Sequence, residues 1–302
     1  MTLNKQTLSR GYAHFVAIFQ RTEDHHIFLI AAGIAFNILI YLIPLFLMAI
    51  FFISMIYPTD VITQSIGDLL MQMLPPTPST EEFVAQLLRD INSIFSQSAV
   101  AGWVGLFSMI WLSSMLFSSL RTGLNRIFSI PTPRFFLFYW IKDFAFTVVY
   151  SLLLILLAYI FPAMTYIKTF LSNNNIIQLG WVFSEITFTS MSLVLSFIVY
   201  YLIFRTIPNR RLPAFIINLS TGLCVVVIDI SRRIFAWYMV SFTTYTTFYG
   251  GYAFIAMLAI WVFYLVMIIL LAAELAQYIY DQRELRRASV SANESSPADA
   301  AK

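Results

Sequence analysis

The sequence predicts an all-α polytopic membrane protein with six transmembrane helices, and two observations carry that prediction. Of its 302 residues, 60% are hydrophobic and only 11% are charged. A soluble domain carries about 25% charged residues, so this chain could not cover a water-exposed surface. The second observation is spacing. Apolar residues gather in six stretches near the length of about 20 residues that a helix needs to cross a hydrocarbon core about 30 Å thick.

Residues 1–26 are polar and mixed in charge, with Leu8, Tyr12, Phe15 and Phe19 three to four residues apart. This spacing predicts a cytoplasmic interfacial helix. The first span covers 27–57, is uncharged, and is too long for a signal-peptide core of about 7–15 residues, so it is read as retained. Ala31 and Ala35 form a small-xxx-small pair that lets another helix approach. Asn37 is an interior polar group that needs a partner, and Pro44 removes a backbone hydrogen bond and can kink the helix.

Residues 58–98 form the longest outer loop. Its pieces VITQSIGDLLMQML and STEEFVAQLLRDINSIF have helical apolar spacing and flank a Pro75-Pro76-Thr77-Pro78 break. Two short amphipathic helices lying on the outer interface or capping the bundle are expected, the second opening at Ser79 or Thr80 with Glu82 behind it. The remaining spans are 99–120, 144–167, 181–204 with Glu185, 212–235, and 248–273, which ends at Glu274. The tail 286–302 is small, polar and expected to be disordered.

Lysine and arginine set the orientation. The N-terminal segment, the loops after the second and fourth spans and the C-terminal tail together hold 14 of them. The opposite side holds 4: Arg89, Lys168, Arg232 and Arg233. Six spans with both termini in the cytoplasm account for this bias.

Several stretches then combine: AAGIAFNILIYLIPL in the first span, GLNRIF after the second, YLIFRTIPNRR leaving the fourth, and FYGGYAF, IWVFYLV and LLAAEL in the sixth. In this order they resemble the YihY/BrkB family of bacterial inner-membrane proteins over roughly residues 10–285. The resemblance implies six spans in the cytoplasmic membrane. The family's names come from virulence and serum-resistance associations, transport and envelope-lipid roles have been proposed for it, and some members carry an old ribonuclease label. Many relatives end the last span in Gly-Ala-Glu, whereas this chain has Ala-Ala-Glu.

The foremost candidate cluster is Asp229, Arg232 and Arg233, set in the apolar stretch VVVIDISRRIFAW. Charge at membrane depth persists when paired or facing a wet cavity. The acid precedes the arginines by three and four residues, the favourable order on a helix. Counting about 1.5 Å per residue puts Asp229 and Glu185 at a similar depth near the outer boundary, which adds Glu185 to the candidate cluster and makes the four residues charge-neutral. Three readings stand: a structural ion-pair network, an outward polar cavity for an anionic or amphiphilic solute, or a fifth span that ends early and leaves its three charges in water. Asn37, Pro44, Gly250 and Gly251 form a second set, either packing or lining a pathway.

Glu274 is expected to pair with cytoplasmic arginines, and Asn125 and Arg126 to cap their helix or meet anionic headgroups. His14, His25 and His26 lie near Glu23 and Asp24, but no second ligand cluster appears, so no metal is expected. The single cysteine, Cys224, excludes an intramolecular disulfide and a thiolate zinc site. No cofactor is expected. The scattered acids Asp143, Glu274, Asp281 and Glu284 build neither a two-metal nor an acid–base nuclease centre. No RNA-binding signature or phosphate loop is present, so nucleic acid is not an expected partner and no enzymatic activity is assigned. The expected partners are membrane lipids and a small anionic or amphiphilic solute. The alternative is a non-transporting scaffold that supports the envelope through partner proteins.

Overall fold

A computed structural model describes residues 3–54, 63–64, 66–68, 70–71, 78–96, 98–131, 141, 145–146, 148–150, 180–241 and 251–295. Among them the long elements are helices: α1 (Leu3–Asp24), α2 (Ile27–Ser54), α3 (Pro78–Ser96), α4 (Ser98–Ile127), α5 (Gly180–Thr206), α6 (Ala214–Ser241) and α7 (Gly251–Ser295). Four contain stretches long and apolar enough to cross a membrane: Ile27–Met48, Gly102–Ile127, Ala214–Phe235 and Ile255–Val290. Helix α5 adds a shorter apolar stretch, Leu193–Thr206. Most of the third expected span, 144–167, lies outside the described residues.

The helix ends have local causes. Between α1 and α2, His26 takes a left-handed conformation at φ 52°. Its N–H donates to the Glu23 carbonyl, while its own carbonyl accepts from Ile30 and opens α2. Helix α4 ends the same way. Ser129 is left-handed at φ 52°, Ser129 N–H donates to Arg126 and Ile130 N–H to Asn125. This paired closure satisfies carbonyls that a helix end leaves over, and Pro131 stops any continuation. Pro208 follows α5, and Pro213 opens α6 by accepting from Ile216 and Ile217.

Helices α2 and α4 pack most extensively, and their seam is antiparallel. A Cβ placed on Gly123 would meet Ile30 Cγ2 at 2.8 Å, and one on Gly102 would meet the Phe51 ring at 2.5 Å. Between these ends, Asn37 Nδ2 donates to Ser119 Oγ at 2.6 Å. Small residues are thus required on α4, opposite large ones on α2. Ala31 and Ala35 are buried as expected of a close-packing pair, but Gly33 faces open space. Helix α2 runs unbroken through Pro44, which is buried.

Helix α7 is central, touching α2, α6, α4, α1 and α3. Its 45 residues span about 68 Å at 1.5 Å each. Val262, Val266, Leu270, Ala273 and Ala276 are buried three to four residues apart, the period of one helix face. The core gathers where the start of α2, the ends of α4 and α5, the start of α6 and the middle of α7 meet, around Ile27, Leu124, Phe204, Ile216 and Leu270. The opposite end carries α3, whose Val84 is buried and which touches α2, α4 and α7. It therefore caps the bundle, starting at Pro78 rather than Ser79. Helical residues at 63–64, 66–68 and 70–71 fall within the other expected amphipathic piece.

Two expectations need correction. Helix α7 continues to Ser295, so residues 286–295 are helical rather than disordered. The Glu284–Arg287 pair at 3.5 Å supports this extension three residues apart on one face. The expected boundary at 120 also moves, because α4 continues to Ile127 and carries Arg121 into the core.

The outer faces are strongly apolar. Trp103, Phe107 and Trp111 lie four residues apart on α4 and are exposed at 63%, 69% and 66%. Leu29, Phe36 and Ile43 form a similar stripe on α2. Such continuous exposed apolar surface suits hydrocarbon rather than water.

Gly123→Leu is expected to lower stability in detergent by about 1–3 kcal/mol, the cost of overpacking a filled seam. Gly33→Leu, in open space, is expected to leave the melting temperature nearly unchanged. Equal losses in both variants would contradict the seam.

Candidate functional site: the polar end of the bundle

The described residues contain two charged clusters, at opposite ends of the helices. The one expected from sequence lies on α6. Asp229 accepts from Arg232 Nη2 at 2.8 Å and from Arg233 Nε at 3.1 Å. Both arginine side chains are largely exposed, at 58% and 69%. The i,i+3 and i,i+4 spacing alone brings the three together. Glu185 lies on the helical backbone of α5, but its side chain is outside the described residues. Gly251 begins α7, and Gly250 lies outside the described residues.

The second cluster is buried and was only partly expected. Glu274 is 0% exposed, among Leu270, Ala272, Ala273 and Ala276. Its Oε2 accepts from His25 Nδ1 at 2.6 Å, and its Oε1 lies 3.6 Å from Arg21 Nε. Arg21 Nη2 also donates to Asp281 at 2.6 Å, and Gln277 donates to the same carboxylate at 2.8 Å. One helical turn beyond Glu274, Tyr278 OH and His14 Nδ1 are 2.6 Å apart. The expected ion pair of Glu274 thus exists, but its partners come from α1 and the α1–α2 turn. His14 and His25 are committed to these separate partners.

A short distance away, Asn125 is also 0% exposed. Its Oδ1 accepts the backbone N–H of Asn209 at 3.1 Å. It therefore caps the chain between α5 and α6, not its own helix. This contact joins the sequence stretches GLNRIF and IPNRR. Arg126 Nη2 donates to the Asp24 carbonyl at 3.1 Å, so α4 also holds the α1–α2 turn. Asn125 Nδ2 and both side-chain polar atoms of Asn209 have no hydrogen-bond partner among the described residues.

The residue missed in this site is Arg121, which sequence counting placed in a loop. It is 4% exposed on α4. Its register was legible: Phe117, Arg121, Leu124 and Asn125 recur at helical spacing and all are buried. Farther along α4, Ser113 and Ser114 are buried as well. From Asn125 to Ser113 is about 18 Å of helix. Buried hydroxyls can bond back to their own helix, as Ser113 does to the Ile110 carbonyl at 3.0 Å.

A helical bundle with apolar outer faces, several membrane-length helices and buried ionisable groups defines an integral membrane protein. Residues 18–297 match the family described as virulence factor BrkB. The chain belongs to that family. It is 25% identical to a UPF0761 membrane protein of Cronobacter sakazakii over 279 residues, covering 90% of each chain. It is 23% identical to a UPF0761 membrane protein of Aggregatibacter aphrophilus, over 89% of this chain and 93% of the relative. No solved structure matches the chain.

Removing His25 leaves the Glu274 carboxylate buried with only the longer Arg21 contact. His25→Ala is expected to cost about 3 kcal/mol, as for a broken buried pair. In a cycle with Glu274→Gln, the two effects are expected to couple by about 1–3 kcal/mol in unfolding measured in mixed micelles. Strict additivity would show that the contact contributes nothing.

Proposed function

We propose that this protein moves or handles an amphiphilic or anionic solute of the cell envelope, without hydrolysing ATP itself. It does so from the bacterial inner membrane with both termini in the cytoplasm. The lysine and arginine bias supports that orientation and puts the Glu274 cluster at the cytoplasmic end and α3 at the periplasmic end. The observation that carries the reading is Arg121, a guanidinium buried in the bundle interior. An ionisable group inside a membrane bundle is costly and marks a polar function by default. Its planar fork of donors suits carboxylate or phosphate. Buried Asn125, Ser113 and Ser114 extend polar character along the same helix. Asp229, Arg232 and Arg233 are a second cationic station near the opposite end.

A scaffold role is the second reading, and α3 favours it. Glu81, Glu82, Arg89 and Asp90 are exposed on this helix while Val84 is buried. That arrangement leaves a charged face open to a partner protein.

Full-length protein reconstituted in vesicles of phosphatidylethanolamine and phosphatidylglycerol separates the two. Labelled phosphatidylglycerol and a small organic anion are followed across the bilayer. The wild type is expected to accelerate at least one of them. Arg121→Gln is expected to slow it by roughly tenfold or more, the loss expected from one charged hydrogen bond. Asp229→Asn is expected to lower flux while the protein still folds; loss of stability instead would assign that cluster to structure. A wild type that moves neither probe, yet copurifies with a stable partner, would overturn transport in favour of the scaffold.

A further inference from the structure

Beside the Glu274 cluster, the latch that ties α1 to α7, these two helices line an open groove of about 360 Å3 whose wall includes the His14–Tyr278 contact. Its wall changes character along α7. Ile18, Leu275 and Ile279 make it apolar near the end of the buried run. Arg283 and Arg286 make it basic farther along, His14 lies at the level of Tyr278, and no Asp or Glu lines it. Among the described residues, Arg283 and Arg286 form no ion pair. The Arg283 guanidinium lies 4.0 Å above the Phe215 ring, which holds it at the rim without neutralising it. The Asp281 carboxylate nearby is taken up by Arg21 and Gln277.

Depth matches this gradient to one occupant. The uninterrupted apolar run of α7 ends at Ala273. At about 1.5 Å per residue, Ile279 stands roughly 8 Å past Glu274, Arg283 roughly 13 Å and Arg286 roughly 18 Å. The headgroup layer on each side of a bilayer is about 5–8 Å thick. Arginines beyond it reach back along their own stems. Leu275 therefore stands at the edge of the acyl layer and Ile279 within the headgroup layer, toward whose phosphates the arginine stems reach back.

We infer that this α1–α7 groove is a binding site for one anionic phospholipid of the surrounding leaflet. The lipid phosphate lies between Arg283 and Arg286, its glycerol backbone beside Ile279, and its upper acyl chains against Ile18 and Leu275. The charge is complementary, with two arginines facing a phosphodiester. The site does not depend on whether the protein moves a solute.

The test uses full-length protein in a neutral detergent, with equimolar dioleoyl phosphatidylglycerol and dioleoyl phosphatidylcholine. Native mass spectrometry counts each lipid retained. The wild type is expected to prefer phosphatidylglycerol, and Arg286→Gln to reduce that preference by about fivefold, the worth of one interfacial arginine. Arg283→Gln/Arg286→Gln is expected to bring the two lipids close to parity. Arg232→Gln/Arg233→Gln, at the far end of the bundle, is expected to keep the wild-type preference. Because Arg283 also packs on Phe215, the single Arg286→Gln variant decides the question if the double variant does not fold. Equal retention of both lipids by the wild type overturns the site, as does an unchanged preference in Arg286→Gln or an equal loss in the far-end variant. Displacement of the lipid by an equal concentration of inorganic phosphate overturns the lipid assignment in favour of a free anion.

Discussion

Most of the described architecture depends on how one carboxylate is buried. Glu274 sits in an apolar ridge of α7, where an uncompensated charge costs several kcal/mol. Its compensation comes from His25 and Arg21, 249 and 253 positions away in sequence. Helix α7 can close against α2 only if the α1–α2 turn arrives at the same place. That turn in turn requires His26 in a left-handed conformation. Once it is made, α1 runs back beside the extended end of α7, where Arg21 meets Asp281 and His14 meets Tyr278. One buried acid thereby specifies the position of the whole N-terminal helix.

The other connections at this end follow the same logic. The connections there leave helix-end backbone groups that need partners. The α4 end closes on itself through Ser129 and Ile130. The Pro208–Pro213 segment cannot cap itself fully, since proline lacks a donor and disfavours helix before it. Asn125 accepts the backbone N–H at Asn209 instead. A stretch read as a cap of its own helix therefore serves a different segment, and two stretches that carried the family resemblance are in contact.

What the sequence revealed divides along lines of range. Periodicity and apolar length identified the spans that became α2, α4, α6 and α7, because those signals are local. The ion pairs of Asp229 were legible for the same reason: both partners lie within one turn. The partners of Glu274 were not legible, because a contact between residues hundreds of positions apart leaves no periodic mark. Arg121 was hidden by a different confusion. Counting cations by topology treats an arginine near a span end as a loop residue, whereas the buried face of α4 continues through it to Ile127. Gly102 and Gly123 were missed because small residues in a membrane helix signal close approach only once the opposing side chain is known.

The latch and the groove are physically linked. Swinging α1 away from α7 would separate His25 and Arg21 from Glu274 and leave that charge buried and unpaired. The energy that holds α1 in place is therefore paid once, in the core, and the groove wall outside the core comes with it. A cavity supported in this way exists before any lipid arrives, so binding need not order a helix. The same rigidity separates two roles along α7. Its buried half packs the bundle through Val266, Leu270 and Ala273, while its projecting half presents Arg283 and Arg286 to the groove beside α1. A helix of 45 residues in a bilayer that requires about 20 is long enough for both.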